Sequence, residues 1–357
     1  MKHNIFTIYK RECLDISSIK VENRNSNISK VLDMIKTKDI VLPISDKDYS
    51  WNNKKKEQFI ESIILGLPLP SFFFYTDEAS GKLLIIDGVQ RLNTLYDFIV
   101  RRTLTLHNLS LLEEYNYNKG FEELPYSTRL NIKMQSVTLN IISGINSSEA
   151  KYEIFKRYNS RSHQLTPAEI RYNLFPGNAN HIIGEMCHNK LFKELVSNKI
   201  NNNKREDEDY VSRFITLYLN SNIIQDQNFE TLITYTYDTL NKDFNSEDTL
   251  QLIQAFDRSL SVCFHLLGDK AFLVPSIDNC SNTISLGIFE MLSVAIAELT
   301  ETEQYFIIKL KNIFRNKYFA LYKDELFMKL LSSKDSYKKI RLCINTIDDL
   351  INDILHR

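Results

Sequence analysis

The segment IIDGVQRLNTL, residues 85–95, places an acid, a glycine and an arginine where an apolar run changes to a helical pattern. A strand that turns directly into a helix exposes the helix's first N–H groups and its positive dipole end, which together bind anions. Gly88 lets the backbone approach a ligand closely, and Arg91 carries a rigid fork of donors that matches phosphate oxygens. This pattern indicates a phosphate site at the Asp87-Gly88 turn.

Two side chains of this segment are suited to catalysis. Asp87, at the end of the strand, can hold a metal ion or a ribose hydroxyl, and Gln90 can orient a water molecule. The alternative is structural, because an Asp-Gly corner often only caps a helix, with Arg91 then lying on the solvated helix face. The residues alone favour neither interpretation.

An α+β arrangement would position this turn. Apolar side chains at i, i+3, i+4 and i+7 predict helices over 28–36 and 54–65, and again after Gly88. The runs SFFFY (71–75) and KLLII (82–86) predict a buried hairpin joined by TDEASG. Further short strands are expected at 40–42 and 137–142.

From residue 148 onward the sequence pattern is mainly helical. Helices are predicted over 148–158, 167–174, 208–220, 247–267, 284–299 and 304–314. Thr166, Pro167 and Glu169 form a capping box that starts one of them, whereas the polar residues 198–209 predict an exposed loop. We therefore expect an α+β domain over residues 1–145 and an all-helical domain over residues 146–357.

The composition is that of a globular protein. The 357 residues carry 44 Lys and Arg against 45 Asp and Glu, and 43% are hydrophobic. These figures exclude a disordered, collagenous or wholly basic nucleic-acid-coating chain. The five scattered cysteines form no C-x-x-C pair and indicate reduced thiols. We find no export signal, and the apolar segment 284–297 is too short to span a membrane, so we expect a cytoplasmic protein.

Several enzyme classes lack their signatures in this sequence. The chain has no G-x-x-x-x-G-K-[ST] loop, no G-x-S-x-G elbow and no H-E-x-x-H helix. The seven histidines are dispersed, and the His/Asn/His set of an HNH nuclease cannot be assembled from the C-terminal half. Such a nuclease would have to be supplied in trans, or be absent.

Five segments, taken in their order, resemble a known family. They are DYSW, ESIILGLPLPSFFFY, LIIDGVQRLNTL, IFKRYNSRSHQLTPAEIR and DEDYVSRF. Their order and spacing over residues 28 to about 220 are similar to the DGQQR-motif family of ParB/sulfiredoxin-like proteins. That family forms the N-terminal module, or a separate subunit, of GmrSD-type modification-dependent restriction systems and related phage-defence proteins. The resemblance implies a ParB/sulfiredoxin-like fold for the N-terminal domain.

The resemblance also implies a nucleotide site. The family's Asp-Gly-Gln-Gln-Arg motif, linked to nucleotide binding and hydrolysis, corresponds to residues 87–91, with Val89 in place of the first Gln. Its Pro-x-Tyr-Gln-Arg-x-Tyr-x-Trp segment corresponds to residues 43–51, with Ser45, Asp46 and Lys47 at the Tyr, Gln and Arg positions. The residues expected to be catalytic are Asp87, Gln90 and Arg91, with Asp87 also holding Mg²⁺. Those expected to bind the nucleotide are Gly88, Lys47, Tyr49, Trp51, Arg157 and Asn159.

Two functions remain open at this point. The first is a phage-defence protein that binds a nucleoside triphosphate with Mg²⁺ and hydrolyses it to regulate action on DNA. The second is a non-hydrolytic regulatory or specificity subunit that docks a separate HNH-type nuclease or effector. In both, the helical domain senses DNA or docks the partner, and no membrane is involved. Direct nuclease action by the N-terminal domain is a third and weaker interpretation.

Overall fold

The chain divides between Leu165 and Thr166 into two compact units. We call the part before this division the N-terminal unit and the part after it the C-terminal unit. The computed structural model describes residues 18–42, 51–78, 80–107, 109–115, 119–145, 147–158, 165–200, 204–221, 228–275, 283–331 and 336–356.

A mixed five-stranded sheet forms the centre of the N-terminal unit. Its strands are β1 (Lys20–Asn27), β2 (Ile40–Val41), β3 (Phe72–Thr76), β4 (Leu83–Asp87) and β5 (Ser136–Ser143). They lie in the order β1-β5-β3-β4-β2. The β1/β5 and β3/β4 pairs are antiparallel, whereas β3/β5 and β2/β4 are parallel. The predicted hairpin and both predicted short strands are therefore confirmed.

Strand β1 is the element of the sheet that the sequence did not predict. Its sequence, KVENRNSN, is polar, and most of its residues are exposed, so it lacks the alternation of apolar and polar residues that marks a half-buried strand. It forms because all eight of its residues pair with β5, from Lys20 opposite Ser143 to Asn27 opposite Ser136. This pairing partner is more than a hundred residues away in the chain, and a local pattern cannot reveal it.

Five helices pack on the two faces of this sheet. They are α1 (Ile28–Lys36), α2 (Asn53–Ile64), α3 (Val89–Tyr96), α4 (Tyr126–Met134) and α5 (Ser148–Tyr158). Asn27 and Asn52 cap α1 and α2 through their side-chain oxygens. Helix α3 continues as a π-helical turn, Asp97–Arg101.

The main core of the N-terminal unit lies on one face of the sheet. Phe72 and Phe74 of β3 and Ile85 of β4 point into it, together with buried apolar residues of α1, α2 and α3. The opposite face carries α5, because the Lys151 ammonium lies 5.0 Å from the centre of the Tyr75 ring. Helix α5 follows the domain boundary predicted near residue 145, and it belongs to the N-terminal unit.

The C-terminal unit is helical throughout its described residues. Its helices are α6 (Pro167–Leu174), α7 (Asn178–Cys187), α8 (Lys190–Leu195), α9 (Glu206–Leu219), α10 (Phe229–Lys242), α11 (Ser246–Leu267), α12 (Leu286–Ala297), α13 (Glu301–Lys309), α14 (Lys311–Leu321), α15 (Glu325–Leu331) and α16 (Tyr337–Leu355). The capping box at Thr166 and Glu169 is present as predicted. A mixed sheet unit followed by helices is consistent with the expected α+β class.

Helix α12 is the buried centre of the C-terminal unit and packs against α9, α11 and α16. Ten of its twelve residues are buried, which confirms the buried helix predicted within residues 284–297. Its one charged residue, Glu290, is paired with Arg213 of α9, and both side chains are almost fully buried. Among the described residues, no helix combines the length and apolar character needed to cross a bilayer.

Two sequence predictions for this unit need correction. The predicted helix 304–314 is part of two helices, α13 and α14, which meet at Leu310. Because the apolar spacing continues across this residue, the break cannot be predicted from the pattern. The expected exposed loop 198–209 contains the buried Arg205, whose guanidinium lies 3.2 Å from the centre of the Tyr172 ring and pairs with Glu208. Polar composition misled here because these charges are satisfied inside the unit.

Candidate functional site

The Asp87-Gly88 turn lies at one edge of the sheet, where the carboxyl ends of β2 and β4 meet. The two strands are parallel neighbours, and β4 ends at Asp87. Strand β3 runs antiparallel to β4, so its first residue, Phe72, is at the same edge. Ligands of open α/β sheets bind outside the carboxyl ends of such strands.

A β-bulge changes the direction of β4 just before the turn. Phe74 pairs with Ile85, but the next residue of β3, Phe73, pairs with Asp87, so that Ile86 is an extra residue on β4. Bulges bend a strand, re-aim its side chains and are frequent beside active sites. The bulge therefore changes both the direction of the chain at Asp87 and the direction of the Asp87 side chain, compared with a regular strand.

Gly88 is required at this turn for two reasons. Its φ of 108° lies in the left-handed region, and a Cβ atom built on it would be 2.4 Å from Cδ1 of Phe72. It is also the N-cap residue of α3, and no side chain caps that helix. Within the described chain, Asp87 accepts a hydrogen bond from Arg91 and from no backbone N–H of α3. The capping role considered for Asp87 is therefore not observed.

Arg91 is buried, with 9% of its surface exposed, and does not lie on a solvated helix face. Its Nη1 donates to the Pro70 carbonyl at 2.5 Å, and its Nη2 donates to the Ser71 carbonyl at 3.2 Å and to Oδ2 of Asp87 at 3.0 Å. The guanidinium lies 4.7 Å from the centre of the Phe72 ring. Burial lowers the pKa of Arg91, and the Asp87 carboxylate acts in the opposite direction. Arg91 thus links residues 70 and 71, which precede β3, to Asp87 at the end of β4.

Helix α3 carries a polar residue that the sequence analysis missed. Asn93 is fully buried, and neither its Oδ1 nor its Nδ2 makes a hydrogen bond. It follows Gln90 by three residues, so the two side chains share one face of the helix. Gln90 is half-buried, and its backbone carbonyl accepts a hydrogen bond from Thr94 Oγ1 at 2.7 Å. The signal available in the sequence was an Asn inside the apolar stripe of a helix.

Helices α2 and α3 are joined by buried charges. Lys56 Nζ of α2 lies 3.4 Å from Oδ2 of Asp97, whose other oxygen accepts a hydrogen bond from Arg101 Nη1 at 3.0 Å. The buried Glu57 and Glu61 of α2 accept hydrogen bonds from backbone N–H groups of residues 107, 111 and 112. These acids hold the chain that follows the π-helical turn.

The expected nucleotide-binding residues before α2 are described only in part. Trp51 lies just ahead of α2, with its ring 5.5 Å from that of Phe59 and with Lys55 Nζ 5.0 Å from its centre. Lys47 and Tyr49 lie outside the described residues. Strand β2 ends at Val41, and its carboxyl end is at the same edge of the sheet as Asp87, because β2 and β4 are parallel.

Arg157, one of the expected nucleotide-binding residues, lies in the last turn of α5. The ring of Tyr158 is 4.7 Å from that of Phe73, the residue paired with Asp87. Arg157, which precedes Tyr158, is exposed. The end of α5 is thus brought to the strand beside the turn, whereas Asn159 lies outside the described residues. Arg171, from the same matched stretch, is instead fully buried in the C-terminal unit, where it pairs with Asp209 and Glu230.

The metal-binding capacity of this site is limited to Asp87. Among the described residues, no group of three or more His, Cys, Asp or Glu could hold a metal ion. Asp87 Oδ2 is paired with Arg91, which leaves Oδ1 as its second oxygen. Mg²⁺ is often bound by one or two carboxylates together with substrate phosphates, so a single Asp fits Mg²⁺ only in combination with a phosphate ligand.

A comparison with protein families identifies the segment that contains this site. Residues 28–176 match the GmrSD restriction endonuclease N-terminal domain. The match covers fewer than half of the 357 residues and includes the turn, strands β2 to β5 and helix α6. Comparisons with curated proteins and with solved structures found no match.

The bounds of the GmrSD domain match follow the helices of the described chain. It begins at Ile28, the first residue of α1, and ends two residues after α6. The segment DEDYVSRF therefore lies beyond the match, and the described Arg213 within it forms the buried pair with Glu290. Its role is structural, inside the C-terminal unit.

Proposed function

We propose that this chain is a restriction-type defence protein whose N-terminal unit binds a nucleoside triphosphate, with Mg²⁺, at the Asp87-Gly88 turn. The observation that carries the proposal is the uncapped N-terminus of α3, which follows Asp87 directly at the carboxyl edge of the sheet. The N–H groups and dipole of that helix end favour a phosphate group. The similarity to the GmrSD domain supports a regulatory role toward DNA.

Each residue of the turn has a distinct part in this proposal. The phosphate oxygens accept hydrogen bonds from the first turn of α3, and Oδ1 of Asp87 holds Mg²⁺ or orients water. Arg91 is a positioning residue, because its hydrogen bonds go to Pro70, Ser71 and Asp87. The further nucleotide-binding residues in the proposal are Gln90, Lys47, Tyr49, Trp51, Arg157 and Asn159.

A second function is favoured by the same arginine. In the hydrolytic interpretation Arg91 would neutralise charge on the transferred phosphate, yet its guanidinium is buried and engaged with backbone carbonyls. Val89 adds to this, because it removes one polar side chain from the turn. A non-hydrolytic regulatory or specificity subunit that docks a separate nuclease or effector needs nucleotide binding at most.

Binding and turnover separate these functions. We would measure binding and phosphate release with ATP, GTP, CTP and UTP plus Mg²⁺, with and without DNA. Asp87→Asn keeps the size of the side chain but removes its charge, and we expect about tenfold weaker Mg²⁺-dependent binding. Asp33→Asn is the matched control, because Asp33 is an exposed acid of α1 in the same unit.

The outcomes are distinct. Turnover that disappears in Asp87→Asn and persists in the control establishes an NTPase. Binding without turnover establishes the subunit function. If the wild-type protein binds none of the four nucleotides, or if Asp87→Asn binds them as well as wild type does, the proposed site is wrong.

A further inference from the structure

One stretch of the C-terminal unit has a charge unlike that of the whole chain. The twenty residues from Gln304 to Lys323 contain five Lys or Arg and no Asp or Glu, while the complete protein has a net charge of −1. They also contain six Phe or Tyr. The stretch covers most of α13 and all of α14.

Helices α13 and α14 are consecutive and pack on the same two neighbours. Both pack against α11 and α16, and only Leu310 separates them. The backbone N–H groups of Ile313 and Phe314 donate to the Leu310 carbonyl, so the chain continues into α14 without a loop. The sides turned away from α11 and α16 therefore adjoin each other at Leu310.

Aromatic and basic residues occupy the outer side of α13. Tyr305 and Phe306 are 55% and 49% exposed, and Lys309 follows on the same face at helical spacing. The Lys309 ammonium lies 4.4 Å from the centre of the Tyr305 ring. The inward residues of this helix, Gln304 and Ile307, are buried.

The outer side of α14 continues this surface. Asn312, Asn316 and Phe319 are exposed at i, i+4 and i+7, opposite the buried Phe314 and Tyr318, and Lys323 follows four residues after Phe319. We call the surface formed by Tyr305, Phe306, Lys309, Asn312, Asn316, Phe319 and Lys323, together with Lys311, the exposed first residue of α14, the basic-aromatic face. Its three lysines are exposed and take part in no ion pair within the described chain.

We propose that the basic-aromatic face is a DNA-binding surface of the C-terminal unit. Lysines supply the positive field that phosphates require, Asn amides donate to phosphates or base edges, and exposed aromatic rings stack on unpaired bases. This inference rests on the proposed function, because a restriction-type role makes DNA the relevant polyanion. An anionic membrane surface fits less well, since Asn312 and Asn316 would lose water there without gaining partners.

The test is DNA binding at several salt concentrations. We would compare a labelled 20-base-pair duplex and its single strand by fluorescence anisotropy. The triple variant Lys309→Ala, Lys311→Ala and Lys323→Ala should bind both at least tenfold more weakly. Because about three phosphate contacts are lost, its slope of log affinity against log salt should become shallower by about 2–3. Phe306→Ala with Phe319→Ala should weaken single-strand binding about tenfold, and duplex binding less.

A matched control has the same loss of charge elsewhere on this unit. Lys190, Lys204 and Lys270 are exposed and form no ion pair in the described chain, and their triple Ala variant should bind DNA as wild type does. Equal affinity and salt slope for the Lys309, Lys311 and Lys323 variant would overturn the proposal, as would absence of DNA binding by the wild type. Binding to phosphatidylserine vesicles that this variant alone loses, with unchanged DNA binding, would assign the face to a membrane.

Nucleotide binding is measured on the same variants, so the two proposals can fail separately. The lysine variant should bind nucleotide as wild type does. Asp87→Asn should bind DNA as wild type does when nucleotide is absent. A wild-type protein that binds DNA but no nucleotide would support the basic-aromatic face and contradict the nucleotide site at the turn. A wild-type protein that binds nucleotide but no DNA would support the site at the turn and contradict the face.

Discussion

At the scale of single residues, Arg91 shows how a motif residue can act through the backbone. The sequence predicted its place after the Asp-Gly turn and its fork of donors, but could not predict the acceptors. Those acceptors are carbonyls at residues 70 and 71, about twenty positions earlier in the chain. Residue type and spacing therefore identified the candidate site. Only the folded chain revealed that this guanidinium is buried and hydrogen-bonded to the backbone.

Removing Arg91 should destabilise the N-terminal unit. Arg91→Ala leaves two carbonyls and the Asp87 carboxylate without their donor, and we expect a loss of about 2–4 kcal/mol in the free energy of unfolding. Arg91→Lys should recover only part of it, because an ammonium cannot reach all three acceptors in the geometry of the fork. Urea unfolding followed by circular dichroism measures both. Stability unchanged in Arg91→Ala would show that these hydrogen bonds contribute nothing.

Asn93 gives the opposite expectation. A buried amide with no hydrogen bond costs free energy, so Asn93→Leu, of similar volume, should raise the free energy of unfolding by about 1–3 kcal/mol. The exposed Asn131 of α4 is the control, where the same change should alter stability by no more than about 0.5 kcal/mol. A thermal melt of the three proteins distinguishes them, and a destabilised Asn93→Leu would show that the amide has a partner in solution.

At the scale of elements, local patterns predicted the parts whose causes are local. Helix α1 and the start of α6 have their stripes and caps within a few residues, and both were predicted at their observed positions. Strand β1 and the burial of Arg205 depend on partners far away or on paired charges, and neither has a sequence pattern. The β4 bulge belongs to the same class, because it is a property of the β3/β4 pairing.

The packing of α9 against α10 should make stability depend on alkaline pH. Burial raises the pKa of Tyr237 to about 12, and its hydroxyl lies 3.0 Å from that of Ser212. An unfolded tyrosine ionises near pH 10, so between pH 10 and 12 the unfolded state binds fewer protons than the folded state. Stability should therefore fall as pH rises through this range, by at most about 1.4 kcal/mol per pH unit for this group.

Replacing the phenol separates this effect from general alkaline damage. Tyr237→Phe should show a shallower loss of unfolding free energy between pH 10 and 12, whatever its stability at pH 7. Tyr305→Phe, at an exposed position of the same unit, should keep the wild-type slope. Urea midpoints collected at half-unit pH intervals give the slopes, and identical slopes for all three proteins would contradict this role of Tyr237.

At the scale of the whole molecule, near-neutral charge hides a strongly uneven distribution. A net charge of −1 predicts little affinity for nucleic acid, yet residues 304–323, which cover most of α13 and all of α14, contain no acid. The sequence contained this stretch, but only the packing on α11 and α16 shows which of its residues face outward. The order of a sheet unit followed by helices was predictable, whereas the surfaces of each unit required the structure.

The polar edge of the sheet has a consequence for handling the protein. Within the described residues, strand β1 pairs with β5 alone, and an unpaired strand edge of eight residues can recruit a strand from another chain. Its Lys20, Glu22 and Arg24 place charges along that edge, and charges of this kind oppose intermolecular pairing. Substituting them with β-branched apolar residues would therefore endanger expression and storage at high concentration, even if the native fold were unchanged.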